Sequence, residues 1–92
     1  MPLIIRRVNG HSMIPSLPPG TLVVGYKYFR KLKPGHVVVV THDKKEKIKR
    51  IDQINKQEVF LLGDHPDTST DSRHFGWLPS ENISARIIWP RT

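Results

Sequence analysis

A chain of 92 residues, read as one domain over residues 1–92, has no room for a second folded unit; its formal charge is +7, from 15 Lys and Arg against 8 Asp and Glu. With no cysteine it has neither a disulfide framework nor a thiolate metal centre, and 37% hydrophobic against 25% charged residues excludes a disordered chain. The longest apolar runs, residues 3–5 and 37–40, are strand-sized and far short of the roughly 18–20 residues of a membrane-spanning helix.

Helical periodicity is nearly absent. Short runs rich in Val and Ile, separated by Pro, Gly and Asn, predict strands over residues 3–8, 21–26, 36–41, 47–54, 58–62 and 83–89. This is the pattern of an all-β protein, a small antiparallel barrel or sandwich. Pro15, Pro18, Pro19 and Gly20 break the chain after the first strand, and Lys33-Pro34-Gly35 makes a turn before residues 37–40. Asn55-Lys56-Gln57 reads as a hairpin loop. Residues 63–76 show no regular pattern and are crowded with Asp, Ser, Thr and His. A loop of that length in a compact domain is functional or disordered.

The N-terminus has no long apolar stretch after its charges and does not read as a secretory signal. A soluble, cytoplasmic or peripheral membrane protein is expected. The basic excess gathers at Lys27, Arg30, Lys31 and Lys33, then at Lys44, Lys45, Lys47, Lys49 and Arg50. Such a field can draw a protein to nucleic acid or to an anionic membrane. Most of these lysines read as solvated loop residues. Aromatics make up 8% of the chain and do not interleave with the basic residues, so stacking platforms for nucleic acid are lacking.

Two residues carry chemistry of another kind. In Gly10-His11-Ser12-Met13-Ile14-Pro15 a serine stands directly after a strand, in a loop that can present its hydroxyl beside free backbone N–H groups. A hydroxyl needs a base to take its proton. His11, His36, His42, His65 and His74 stand in no catalytic or zinc-binding spacing; His65 with Asp64 and Asp67 is the one grouping with metal-ligand chemistry, and a metal site is not expected there. His11 adjoins Ser12, and neighbours in extended chain point to opposite sides. Lysine is the remaining base. Period-2 alternation sets Lys49 on the same strand face as Ile51. If that face is the core, burial disfavours the ammonium, lowers its pKa and leaves an amine able to accept a proton; if it faces solvent, Lys49 is one more surface charge.

Three segments resemble the type I signal peptidases. Gly10-His11-Ser12-Met13-Ile14-Pro15-Ser16-Leu17 resembles their nucleophile box, Gly-x-Ser-Met-x-Pro-Thr-Leu, and Ile48-Lys49-Arg50-Ile51 is similar to their base box. Residues 63–76, beginning Gly63-Asp64-His65-Pro66 and continuing through Ser69-Thr70-Asp71-Ser72-Arg73, resemble the third, with His65 in place of Asn. The closing Ile83-Ser84-Ala85-Arg86 and Trp89-Pro90 look similar too. The likeness implies a Ser/Lys peptidase without cofactor, Ser12 as nucleophile and Lys49 as general base. It implies that Ser69 orients the lysine amine and that the Ser12 N–H forms the oxyanion hole. Gly10 stands where some relatives carry an assisting hydroxyl, so backbone donors supply the support there. Asp71, Ser72 and Arg73 belong to the third box, Asp71 and Arg73 as a structural ion pair, and Met13 matches a residue beside the substrate pocket.

Gly20-Thr21 and Gly35-His36 depart from the family's Gly-Asp, and a short connection over 52–59 replaces a longer one. The details look most similar to compact members: the mitochondrial inner-membrane peptidases and the maturation proteases of nickel-type superoxide dismutase. The implied partner is a protein or peptide bound as an extended strand and cut to release a signal or pro-segment, with peripheral membrane or membrane-partner association and no specific nucleic acid. Two alternatives stand beside this: a self-cleaving peptidase similar to the SOS repressors, and a non-enzymatic basic β-barrel binding nucleic acid or anionic lipid.

Overall fold

The computed structural model describes residues 1–92 and contains seven strands. They are β1 (Leu3–Arg7), β2 (Leu22–Tyr26), β3 (Val37–His42), β4 (Lys45–Asn55), β5 (Glu58–Leu62), β6 (Leu78–Pro79) and β7 (Ile83–Trp89). All pair antiparallel in one sheet of order β1-β2-β7-β3-β4-β5-β6. The expected all-β class holds, and each predicted strand is present to within two residues at its ends.

The sheet is open, where a closed barrel or a two-sheet sandwich was expected. β1 and β6 are its outer strands. Its two faces nevertheless bury separate cores. Val37 and Val39 pack with Val8, Met13, Leu17, Val23, Ala85 and Ile87; Val38 and Val40 pack with Ile51, Val59, Leu61, Leu78 and Ile83. Four consecutive buried valines make β3 apolar on both sides, as central strands are. Bending comes from irregularities in register between Val24 and Gly25, between Val39 and Val40, and between Ile51 and Gln53, the usual device for turning a sheet.

Two tight hairpins set the register of β4. Asp43 and Lys44, both at positive φ, join β3 to β4 with His42 opposite Lys45. Positive φ at both central residues is the type I′ geometry that matches strand twist. Lys56 and Gln57 join β4 to β5 with Asn55 opposite Glu58, as the hairpin reading of residues 55–57 requires.

The segment over residues 63–76 is partly regular. It holds a 3-10 turn (Pro66–Thr68) and the short helix α1 (Ser72–Phe75). Asp71 caps α1, accepting from the Arg73 N–H at 3.1 Å. Phe75 anchors its far end by stacking on His42, with ring centroids 4.1 Å apart. No helix is long and apolar enough to cross a membrane.

Candidate active site

The Ser12 loop is held from beneath. Val8 stays in the ladder, donating to Thr21 O at 2.8 Å, and Gly10 then turns the chain at φ +75°. Met13 and Leu17 are both fully buried, and Leu17 N–H donates to Met13 O at 2.8 Å. Between these anchors Ser12 is half-buried, and its carbonyl accepts from the His65 N–H at 2.8 Å. Met13 serves as core and also forms part of the cleft wall.

β4 delivers the lysine. Val38 lies opposite Lys49, and Ile51 follows on the same face, so the side chain enters a surface otherwise apolar. Only 4% of Lys49 is exposed. Burial is the largest influence on its pKa and lowers it; Asp71 opposes, while Lys47 and Arg73 add to the fall.

Ser69 and Asp71 complete a chain of hydrogen bonds behind the amine. Lys49 Nζ donates to Ser69 Oγ at 3.2 Å, and Ser69 Oγ donates to Asp71 Oδ2 at 2.7 Å. Asp71 is fully buried and also accepts from Gly63 N–H at 2.8 Å and from Arg73 Nη2 at 2.7 Å and Nε at 3.0 Å. Burial alone pushes this carboxyl up, but the Arg73 and Ser69 hydrogen bonds and two backbone N–H groups outweigh it and hold it well below the usual carboxylate range. Ser72 Oγ accepts from the buried Leu61 N–H at 2.8 Å, tying α1 to β5.

Two contributors escaped the sequence reasoning. A Cβ on Gly63 would overlap the Ser69 hydroxyl, lie 2.6 Å from Ser69 Cβ and lie 2.7 Å from Ser12 O. The bare backbone there lets the end of β5 touch both the Ser12 loop and Ser69. Asp64 is gripped by Arg50, Nη2 to Oδ2 at 2.7 Å and Nε to Oδ1 at 2.9 Å, and Arg50 also donates to Ser16 at 3.3 Å. The neighbour of Lys49 thus ties β4 to both loops. The residues lay inside the recognised boxes, but nothing in their spacing announces contacts across the fold.

Ser12, Lys49, Gly10 and Met13 line one cleft of about 420 Å³, together with Thr68 and Thr70. A larger cavity of about 730 Å³ beside Phe29, Leu32 and Ile83 contains neither Ser12 nor Lys49. No three His, Asp or Glu side chains are grouped to hold a metal, and Asp64 is occupied by Arg50.

An all-β sheet that puts a loop serine and a buried lysine, its pKa lowered by that burial, in one cleft has the arrangement of the Ser/Lys peptidases. Residues 2–75 match the Peptidase S24-like family, and the chain belongs to it as a serine peptidase. It is also similar to signal peptidase I of Buchnera aphidicola subsp. Baizongia pistaciae (strain Bp), 36% identical over 36 residues. That stretch is 39% of this chain and 12% of the relative's length.

Proposed function

We propose that this domain is an endopeptidase in which Ser12 is the nucleophile and Lys49 the general base, and that it removes a signal or pro-segment from a protein substrate. The observation that carries the reading is the buried Lys49 amine bonded to Ser69 in the cleft that Ser12 lines.

The direction of the hydrogen bonds supports the role. Ser69 gives its only proton to Asp71, so it accepts from Lys49. The lone pair of a neutral Lys49 amine is then turned away from Ser69 and left for the Ser12 hydroxyl. As Ser12 Oγ attacks the scissile carbonyl, its proton passes to Lys49, and the Ser12 N–H faces the developing oxyanion. The C–N bond breaks as the Lys49 ammonium returns that proton to the leaving amine. Water, deprotonated by Lys49, then hydrolyses the Ser12 ester. No cofactor enters these steps. Asp71, held by Arg73, positions Ser69, Ser72 fastens α1 to β5, and Gly10 lets the loop turn.

Cleavage of a peptide library, followed by mass spectrometry, tests the assignment. Ser12→Ala abolishes product, and Lys49→Ala lowers the rate by about 10²–10⁴-fold with the fold retained. Lys49→Arg is equally inactive, because guanidinium does not release its proton at working pH. Turnover retained by Ser12→Ala overturns the reading. Pure protein that cuts only its own chain reassigns the activity to self-cleavage.

A further inference from the structure

The cleft that Ser12 lines is also lined by a pair of oppositely charged side chains, Arg6 and Glu46. β1 bonds to β2 through its even-numbered positions: Pro2 O accepts from Lys27 at 2.7 Å, and Val8 accepts from Gly20 at 2.8 Å and donates to Thr21 at 2.8 Å. Strand alternation turns the N–H and C=O groups of Leu3, Ile5 and Arg7 toward the open edge of the sheet. β4 pairs with β3 over Lys45–Arg50 and with β5 only from Arg50 onward, so its first half has a second open edge. Residues of both edges, Arg6 and Arg7 from one and Glu46 and Lys47 from the other, line the cleft with Ser12.

Arg6 spans this gap. Its Nε and Nη2 donate to Glu46 Oε1 and Oε2 at 2.6 and 3.3 Å, across 40 residues of sequence, and its Nη1 donates to Ile5 O at 2.9 Å. One guanidinium therefore bridges the groove and covers a carbonyl that a docking strand would use. The pair is 43% and 39% exposed, so breaking it costs the fold little. Glu46 is the one acid facing Arg6, Arg7 and Lys47 there.

We propose that Arg6–Glu46 is a latch that selects substrate charge: a docking strand with an acidic side chain takes the place of Glu46 on Arg6 and frees the Ile5 carbonyl to join the ladder. The proposal rests on the peptidase reading and names its substrate class, extended segments with an Asp or Glu near the cut. Uncovering an edge carbonyl adds a main-chain hydrogen bond, which is how added strands gain affinity.

Binding, separated from cleavage, tests it. Ser12→Ala protein is titrated with labelled Ala-rich peptides in which a single Glu, Gln or Lys is stepped along the chain, followed by fluorescence anisotropy. Glu binds about two- to fivefold tighter than Gln at one position, Lys weaker than both, and added salt erases the difference. Arg6→Gln removes the preference, and Glu46→Gln tightens the Gln peptide. Equal binding of Glu and Gln peptides at every position overturns the latch and leaves the peptidase reading standing, as does a preference that survives Arg6→Gln. No binding by any peptide overturns the latch and strand docking together.

Discussion

A lysine amine is a base only where its proton is made costly. Lys49 meets that condition by burial first, with Lys47 and Arg73 adding and Asp71 opposing. With Lys49 as the proposed base, the expected cleavage rate is low where the ammonium persists and rises as pH passes through a pKa below the ordinary lysine value. Lys47→Gln removes a neighbouring cation, stabilises the ammonium and moves that rise to higher pH; kcat/KM against pH reads the shift. Ser69→Ala deletes one hydrogen bond to the amine and lowers kcat by roughly 10- to 100-fold. At this scale the sequence was informative about Lys49, because alternation with Ile51 shares one face whatever the rest of the fold does. It said less about why Ser69 must accept: that depends on Asp71 having taken the serine proton, a three-body arrangement invisible in spacing.

Among the elements, β2, β3, β5 and β7 were legible from β-branched runs, whose side chains pack on a pleated surface. α1 and β6 escaped, since four residues and two residues are too short to show a period. The Asp43-Lys44 turn also escaped, because both positive-φ positions carry residues other than Gly or Asn. Sheet closure was misjudged for a different reason: whether the outer strands meet is decided by distant partners, and β1 reaches across to β4 through the Arg6–Glu46 pair and not through a ladder, while β6 stays apart in the strand order. The contact between the end of β5 and the Ser12 loop hinges on Gly63. Gly63→Ala forces Ser69 and the Ser12 carbonyl apart, with a loss of about 1–3 kcal/mol in a thermal or denaturant melt. Cleavage is expected to fall further than stability does, because both displaced groups belong to the proposed site.

For the whole molecule, the ionisable groups with partners make stability climb with pH in two separate windows. Asp71 and Asp64 have folded pKa values below their ordinary range: burial raises each, and the hydrogen bonds outweigh it, led by Arg73 for Asp71 and by Arg50 for Asp64. Their contribution is present above the ordinary carboxylate pKa and is lost as pH falls through the folded one. Lys49 is depressed too, so between its folded and unfolded pKa values the unfolded chain binds more protons and folding gains as pH rises. Denaturant midpoints measured across pH show both rises, and Asp71→Asn flattens the acidic one.

The strand order has a consequence for timing. Ser12 lies on the β1–β2 side of the sheet and Lys49 on the β3–β6 side, and the ladder between those sides runs through β7. β7 follows the other six strands in the chain. Until residues 83–89 pair, Ser12 and Lys49 belong to separate fragments of sheet, so the proposed dyad comes together only when β7 docks.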